Sequence, residues 1–600
     1  MPHKKTPSYP FSSGPNAVNA INRSSWTPLP PTTQPPETDV YPHYDHTEGN
    51  EHATLLEAVH DHDNGHEEAA MFMPEEASPL NRWNPNEPEP DDFLHVPDPR
   101  RDHKNDRGGT ILTLRGLANL GFLFFLALAL LTMFAGYPLA SYFISLSHKP
   151  GKLGGYNIGG INASGQVPEI GGHFALIDPD TPSDAQRIKA FTDGSMYDLV
   201  FSDEFNQDGR TFYPGDDPYW EAVDLNYWQT GDLEWYDPSA ITTKDGSLVI
   251  TLNATQSHGK DFIGGHMSSW NKFCFQEGYI EVNVSLPGDP KVSGFWPAVW
   301  MMGNLGRAGY GASLEGMWPY SYDSCDWGTL PNQTFPGAQP PSNTIVYLPG
   351  QRLSACTCTN INDGSHPGPK TKGRYVGRSA PELDVFEAQV DKIGGGASQS
   401  LQMAPFDDDY FWGNTSSDIN IYDASITTVN SYKGSPYQEA LSAVTLNDQN
   451  AYQTTGGYAI YGVEYKTGAK GYVTWINNGK PAWSAYPSAI GPNSITNISQ
   501  RLIPEEPLYI IINLGISRNF AKIQLDQLVF PAQMKVDYVR VYQAPGNRRV
   551  GCDPDDHPTA AYINKYSEAY SNPNLTVFAT TGTGGSYNQS FPKNKLVDEC

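Results

Sequence analysis

The chain has 600 residues, more than one hydrophobic core ordinarily supports, so a large folded domain with accompanying segments of a different physical kind is expected. A formal net charge of −27 argues against nucleic-acid binding, which draws its affinity from a surplus of Lys and Arg. With 57 Gly, 50 Pro and 12% aromatic residues, the composition favours many short strands and turns over long helices.

Residues 1–110 are rich in Pro, Ser, Asn, His and acid, with thirteen Asp or Glu against one Arg between 51 and 99. Such a segment cannot bury enough apolar surface to fold, and it is expected to be a disordered cytosolic tail whose main role is solvation, with sorting or phosphorylation signals as the sharper alternative. From Gly116 to Ser147 there is no charged residue, and GFLFFLALALLTMFAGYPLA is almost wholly apolar. A helix of about 20 such residues crosses a bilayer, so 116–146 is expected to be an uncleaved signal anchor. Arg100, Arg101, Lys104, Arg107 and Arg115 precede it, while only Lys149 and Lys152 follow closely. The positive-inside tendency then predicts a single-pass type II membrane protein of the secretory pathway, in the endoplasmic reticulum, Golgi or plasma membrane, with the remainder lumenal or extracellular. All six cysteines follow the span, as do eight sequons, at Asn162, Asn253, Asn283, Asn332, Asn414, Asn497, Asn574 and Asn588; only Asn22 precedes it. The even cysteine count suggests disulfides of open connectivity. A metal is the lesser alternative for the CxC pair Cys356 and Cys358, since no His or second Cys pair stands at zinc-like spacing.

A Gly-rich stretch around KLGGYNIGGINASGQ makes 147–195 a candidate stem. Over 196–545 strand signals recur: LVFSDEF, SLVITL, GYIEVNVSL, FWPAVWMM, ELDVFEA, YAIYGVEY, GYVTWI, LYIIINLGI and MKVDYVRVY, separated by turn clusters such as DG, NNGK and PGD. GYIEVNVSL alternates between faces whereas LYIIINL is apolar throughout, as expected of two sheets packed about 10 Å apart. The fold class is therefore all-β. Residues 546–600 turn polar and irregular, and Cys552 and Cys600 can staple this extension to the core or to each other.

Within APELDVFEAQV, Glu382 and Asp384 share a strand face, whereas Glu387 would point away in a regular strand. One extra residue at Val385 or Phe386, a β-bulge, returns it to the same face. Three acids on one face repel, so at least one must keep its proton near neutral pH, as two-carboxylate catalysis requires. Spacing alone leaves a solvated strand face or a calcium site as alternatives. Trp296 and Trp300, four apart on one strand, are candidate stacking platforms for sugar rings, with Trp270, Trp318, Trp327, Trp412 and Trp475 as further candidates. His266 is a lone histidine near a cleft strand, more often structural than functional. No GxSxG elbow, Walker or dinucleotide motif is present, and no cofactor is expected.

ELDVFE resembles the bulged active-site strand of glycoside hydrolase family 16, and LVFSDEFN, SLVITL, GFWPAVWMMG and MKVDYVRVYQ extend that resemblance over the whole of 196–545. It implies a jelly-roll, concanavalin-like β-sandwich in which Glu382 is the nucleophile, Asp384 the assisting acid and Glu387 the acid/base. It further suggests Trp475, on a strand that crosses the cleft, as a sugar contact; Glu281, on GYIEVNVSL, and Gln402, just after the acids, are further candidates. The acidic tail, signal anchor, APELDVFEAQV followed by SQSLQMAPFD, and Cys-containing extension together resemble the fungal β-1,6-glucan synthesis-associated proteins. The implied function is a retaining β-glucan-active glycosidase or transglycosylase of wall construction; the alternative is a non-catalytic glucan- or glycan-binding scaffold. The implied partners are a β-glucan or glycan, the membrane, and sorting or wall-assembly proteins that read the tail.

Overall fold

The computed structural model describes residues 114–136 and 175–600, apart from 331–332, 334–345, 347, 361–363, 392–393, 408 and 580–584. The expected tail 1–110, the first part of the stem, and the sequons at Asn162 and Asn332 lie outside the described residues.

The main strands, in chain order, are β1 (Met196–Asp203), β2 (Ser247–Leu252), β3 (Phe262–Ser268), β4 (Gly278–Ser285), β5 (Trp296–Gly303), β6 (Glu382–Asp391), β7 (Gly394–Met403), β8 (Gln438–Leu446), β9 (Ala459–Lys466), β10 (Tyr472–Asn477), β11 (Lys480–Ala485), β12 (Leu508–Gly515) and β13 (Ala532–Gln543). Together with shorter strands they form two largely antiparallel sheets of ten and eleven strands that pack as a sandwich. The back sheet runs β1–β13–β4–β9–β10–β11, with β2 also paired to β13, and the cleft sheet runs β8–β7–β6–β5–β12–β3.

Alternation places the core. On β4, Ile280, Val282 and Val284 enter the space between the sheets, while Tyr279 and Glu281 face away. β12 is buried along its whole length because both of its faces are covered. Ile510, Ile512 and Leu514 fill the inter-sheet core, whereas Tyr509 and Ile511 join a second cluster outside the cleft sheet, with Trp296, Trp300, Tyr562, Tyr566, Tyr570 and Phe578. The polar extension 546–600 is thus bound to the outer side of the cleft sheet by its aromatic residues.

Disulfides Cys274–Cys552 and Cys358–Cys600 tie the extension to the body, and Cys325–Cys356 closes a shorter loop. Closing loops of 278 and 242 residues removes about 5 kcal/mol each from the unfolded chain in the chain-entropy account. Folded structure begins before residue 196: the strand Arg187–Lys189 pairs with β1, and Phe191 meets the Tyr279 ring edge-on at 5.3 Å. Residues 175–195 therefore belong to the back sheet's surroundings and not to a stem.

A separate unit contains α1 (Leu114–Leu131), which continues into a π turn at Thr132–Gly136. Its Phe122, Leu123, Phe124 and Phe125 are exposed. Among the described residues no helix is long and apolar enough to cross a membrane. The expected anchor continues past Gly136 into residues that are not described.

Asn253, Asn414, Asn497, Asn574 and Asn588 are exposed. Asn283 departs from the expectation for a glycan acceptor, because it is half-buried on β4 and its amide nitrogen, the atom a glycan would occupy, donates to Asp537 at 3.0 Å.

Candidate active site

β6 is bulged where the spacing of its acids requires it. Against β5, Asp384 lies opposite Trp300 and Phe386 opposite Val299, so Val385 has no counterpart. Against β7, Asp384 faces Ser400 and Glu387 faces Ser398, leaving Val385 and Phe386 across from Gln399 alone. Val385 and Phe386 are fully buried in the inter-sheet core, and Glu382, Asp384 and Glu387 come together on the outer face. A bulge disrupts the hydrogen-bond ladder, and here side chains supply partners. Gln399 Nε2 donates to Val385 O at 3.0 Å, and Trp475 Nε1 crosses from the back sheet to donate to Asp384 O at 2.9 Å.

Each acid has its own donors. Trp318 Nε1 donates to Glu382, and Trp296 Nε1 donates to Glu387 Oε1 at 3.0 Å. Ser400 Oγ and Gln402 Nε2 donate to Asp384 Oδ2 at 2.6 and 3.0 Å. Burial pushes Glu382 well above the usual carboxylate range, and the neighbouring Asp384 and Glu387 push it further. Burial also raises Asp384, but hydrogen bonds from Ser400, Gln402 and Glu382 oppose that rise. With both carboxyls raised and adjacent, Glu382 and Asp384 share a proton between them.

A cavity of about 300 Å³ lies over this face and is lined by all three acids. Trp296, Trp300 and Gln402 line it, and so does Trp318, one of the further candidates from the sequence. Trp296 is 7% exposed and stacks on Phe520 with centroids 4.2 Å apart; Trp300 is 9% exposed and donates to Asn513 Oδ1 at 2.8 Å.

Two expected sugar contacts lie elsewhere. Trp475 is 0% exposed and stacks on Trp483 at 4.1 Å inside the sandwich, so it supports the bulge from behind and cannot meet a sugar. Glu281 faces outward from the back sheet, where the hydroxyls of Tyr279 and Tyr538 each donate to it at 2.9 Å. Its strand belongs to the wrong sheet. Of the lesser candidates, Trp270 stacks on Tyr570 and donates to Asn304 O, Trp412 is in the core, and Trp327 packs beside Tyr320 and Phe406; none lines the cavity.

His266, on β3, does line the cavity. It sits between the rings of Tyr227 and Tyr236, neither ring nitrogen has a hydrogen-bond partner, and burial lowers its pKa to about 3, so the imidazole is neutral. Trp228, Asp232 and Asn513 also line the cavity without having been singled out in the sequence. Asn513 carried a signal, as the one polar residue in the apolar run LYIIINLG; the other two lie on a loop and carried none.

The family described as "Beta-glucan synthesis-associated protein SKN1/KRE6/Sbg1" matches residues 81–600. The chain is 41% identical over 533 residues to the beta-glucan synthesis-associated protein KRE6 of Saccharomyces cerevisiae, covering 86% of this chain and 69% of that protein. It is 40% identical over 524 residues to the beta-glucan synthesis-associated protein SKN1 of Candida albicans, covering 85% of this chain and 67% of that one. Among solved structures, the catalytic domain of an endo-1,3-beta-glucanase (laminarinase) from Thermotoga petrophila aligns at 16% identity and a TM-score of 0.34, over 58% of this chain and 99% of that domain. With its match over 81–600 and relatives at 40% identity, the chain belongs to the beta-glucan synthesis-associated family.

Proposed function

We propose that the protein is a retaining β-glucan-active transglycosylase or glycosidase that acts in assembling fungal wall β-1,6-glucan. The observation that carries this reading is the trio Glu382, Asp384 and Glu387, gathered by a bulge beneath a tryptophan-lined cavity. In retaining chemistry one carboxylate attacks the anomeric carbon while a second donates a proton to the leaving oxygen. Glu382 is the nucleophile: as it attacks, the shared proton passes to Asp384, which frees the Glu382 charge for the glycosyl–enzyme bond. Glu387 protonates the departing oxygen and then takes a proton from the acceptor, sugar hydroxyl or water. Transfer is favoured for a protein that builds wall. The charge-free run 116–147, with five cationic residues before it, supports a type II anchor that places this site in the lumen or outside the cell.

The test is mass spectrometry of products from the full-length protein in detergent micelles, incubated with β-1,3- and β-1,6-gluco-oligosaccharides in heavy-oxygen water, beside Glu382→Gln. Lengthened, unlabelled chains mark transfer and labelled ends mark hydrolysis; either should fall about a thousandfold or more in the variant. Equal product from both proteins sinks the catalytic assignment, and no product from either shifts the reading to a glucan-binding scaffold.

A further inference from the structure

We infer that the cavity is closed beside β3, and that it takes a terminus of a glucan chain rather than the interior of a polymer. The inference deepens the proposed function and rests on the glucan substrate it assigns.

A glucan lying along the cleft sheet would cross the strands from the β8 edge, where Tyr437 and Gln438 line the cavity, toward the β3 edge. At the β3 edge three segments distant in sequence meet. The loop before residue 231 is anchored beside β3 through the hydrogen bond from Val223 N to His266 O. It carries Trp228, whose indole packs so close to Gly311 that a Cβ there would lie 2.9 Å from it. The same Cβ would lie 2.5 Å from Thr576 O and 2.9 Å from Thr576 Cα. The contact between the second and third segments is hydrogen-bonded. Ala312 N donates to Leu575 O at 2.9 Å, and the backbone N–H groups of Phe578 and Ala579 donate to Glu315 Oε2 at 2.6 and 3.0 Å. Trp228, Gly311, Glu315, Thr576 and Val577 all line the cavity, so this junction is its wall.

The second observation concerns polar atoms at that wall. Trp228 Nε1, both amide atoms of Gln229 and both ring nitrogens of His266 are buried with no hydrogen-bond partner, and all three residues line the cavity. Buried polar groups left unpaired cost about 1–3 kcal/mol each, so a concentration of them in residues that line a cavity calls for a ligand rich in hydroxyls. An indole donor, a two-way amide and a neutral imidazole offer donors and acceptors without charge, which suits an uncharged sugar. A chain terminus differs from an interior residue by the free group where the next linkage would stand. A wall that blocks the next sugar and presents unpaired donors and acceptors fits that difference.

Isothermal titration calorimetry of full-length Glu382→Gln in detergent micelles tests this with linear β-1,3- and β-1,6-gluco-oligosaccharides of increasing length, plain or derivatised at one terminus. A closed end predicts affinity that stops rising after a few units, and at least a tenfold loss on derivatising one terminus but not the other. Gln229→Leu should weaken binding of the plain oligosaccharides several-fold with no loss of Tm. Affinity that grows steadily with length and tolerates a modification at either end overturns the closed end while leaving the glucan assignment standing. Failure to bind any of these saccharides overturns the glucan reading itself, and this inference with it.

Discussion

The outward faces of the two sheets both carry buried acids, but they treat them differently. On the back sheet Glu281 accepts from two tyrosine hydroxyls, and Glu204 is clamped by Arg540 through two hydrogen bonds of 2.9 and 2.8 Å. Charge there is answered by a donor or an opposite charge, and the result is structure. On the cleft sheet Glu382, Asp384 and Glu387 are crowded against each other, with donors from Trp318, Trp296, Ser400 and Gln402. Burial, with the neighbouring acids adding to it at Glu382, favours the protonated forms of Glu382 and Asp384 and leaves them prepared to move protons. What surrounds a buried carboxylate, more than its burial, separates a brace from a reactive group.

The strongest way to break that contrast is Glu387→Gln. The carboxyl assigned to proton transfer is lost while Trp296 Nε1 keeps an oxygen to donate to, and turnover should fall about a thousandfold. Circular dichroism confirms that the sheets persist, and retained activity in a folded variant would remove Glu387 from catalysis. A second test swaps Glu281 for Gln. The two tyrosine donors then lose a charged acceptor, and denaturant unfolding should show a loss of about 1–2 kcal/mol with turnover unchanged within about twofold. A large fall in turnover would return Glu281 to the cleft.

The smallest effect is in pH. Burial pushes Glu506 up to about 8 and Glu382 well above its usual value. The folded protein therefore holds protons that the unfolded chain releases near pH 4.5, and this stabilisation is lost as pH rises through about 8. Buried His266 and His366, both lowered to about 3, act oppositely: their stabilisation is present above the unfolded value of 6.5 and is lost as pH falls below it. Between pH 6.5 and 8 the acids act alone, so Tm should decline across that interval. Glu506→Gln should flatten the decline, and an unchanged slope would remove Glu506 as its source.

Much of this was legible before any coordinates. SLVITL is β2, and the other eight apolar or alternating runs coincide with β1, β4, β5, β6, β9, β10, β12 and β13. β3, β7, β8 and β11 were not legible. GGGASQSLQM and QEALSAVTL are rich in Gly, Ala, Ser and Gln, which lack the β-branched signature. Those small polar residues place Ser400 and Gln402 beside Asp384, so the site's own chemistry hid its strands. The bulge could be derived because a period of two makes the Glu382-to-Glu387 spacing inconsistent with one face. Sheet membership could not. Alternation assigns Glu281 and Trp475 to one face or another of a strand, but which sheet that strand joins depends on pairings among β4, β9, β10 and β13. The wall beside β3 is built from contacts between Trp228, Gly311 and Thr576, and no local pattern announces such a meeting.

That wall also sets a clock. The acids on β6 are synthesised well before Thr576 and Val577, which follow Glu387 by about 190 residues. At the usual elongation rate of roughly 5–20 residues per second, the ribosome needs about 10–40 seconds to pass from one to the other. During that interval the nascent chain has its carboxylates but not its finished pocket, and chain growth itself keeps the site incomplete until its substrate-selecting side is in place.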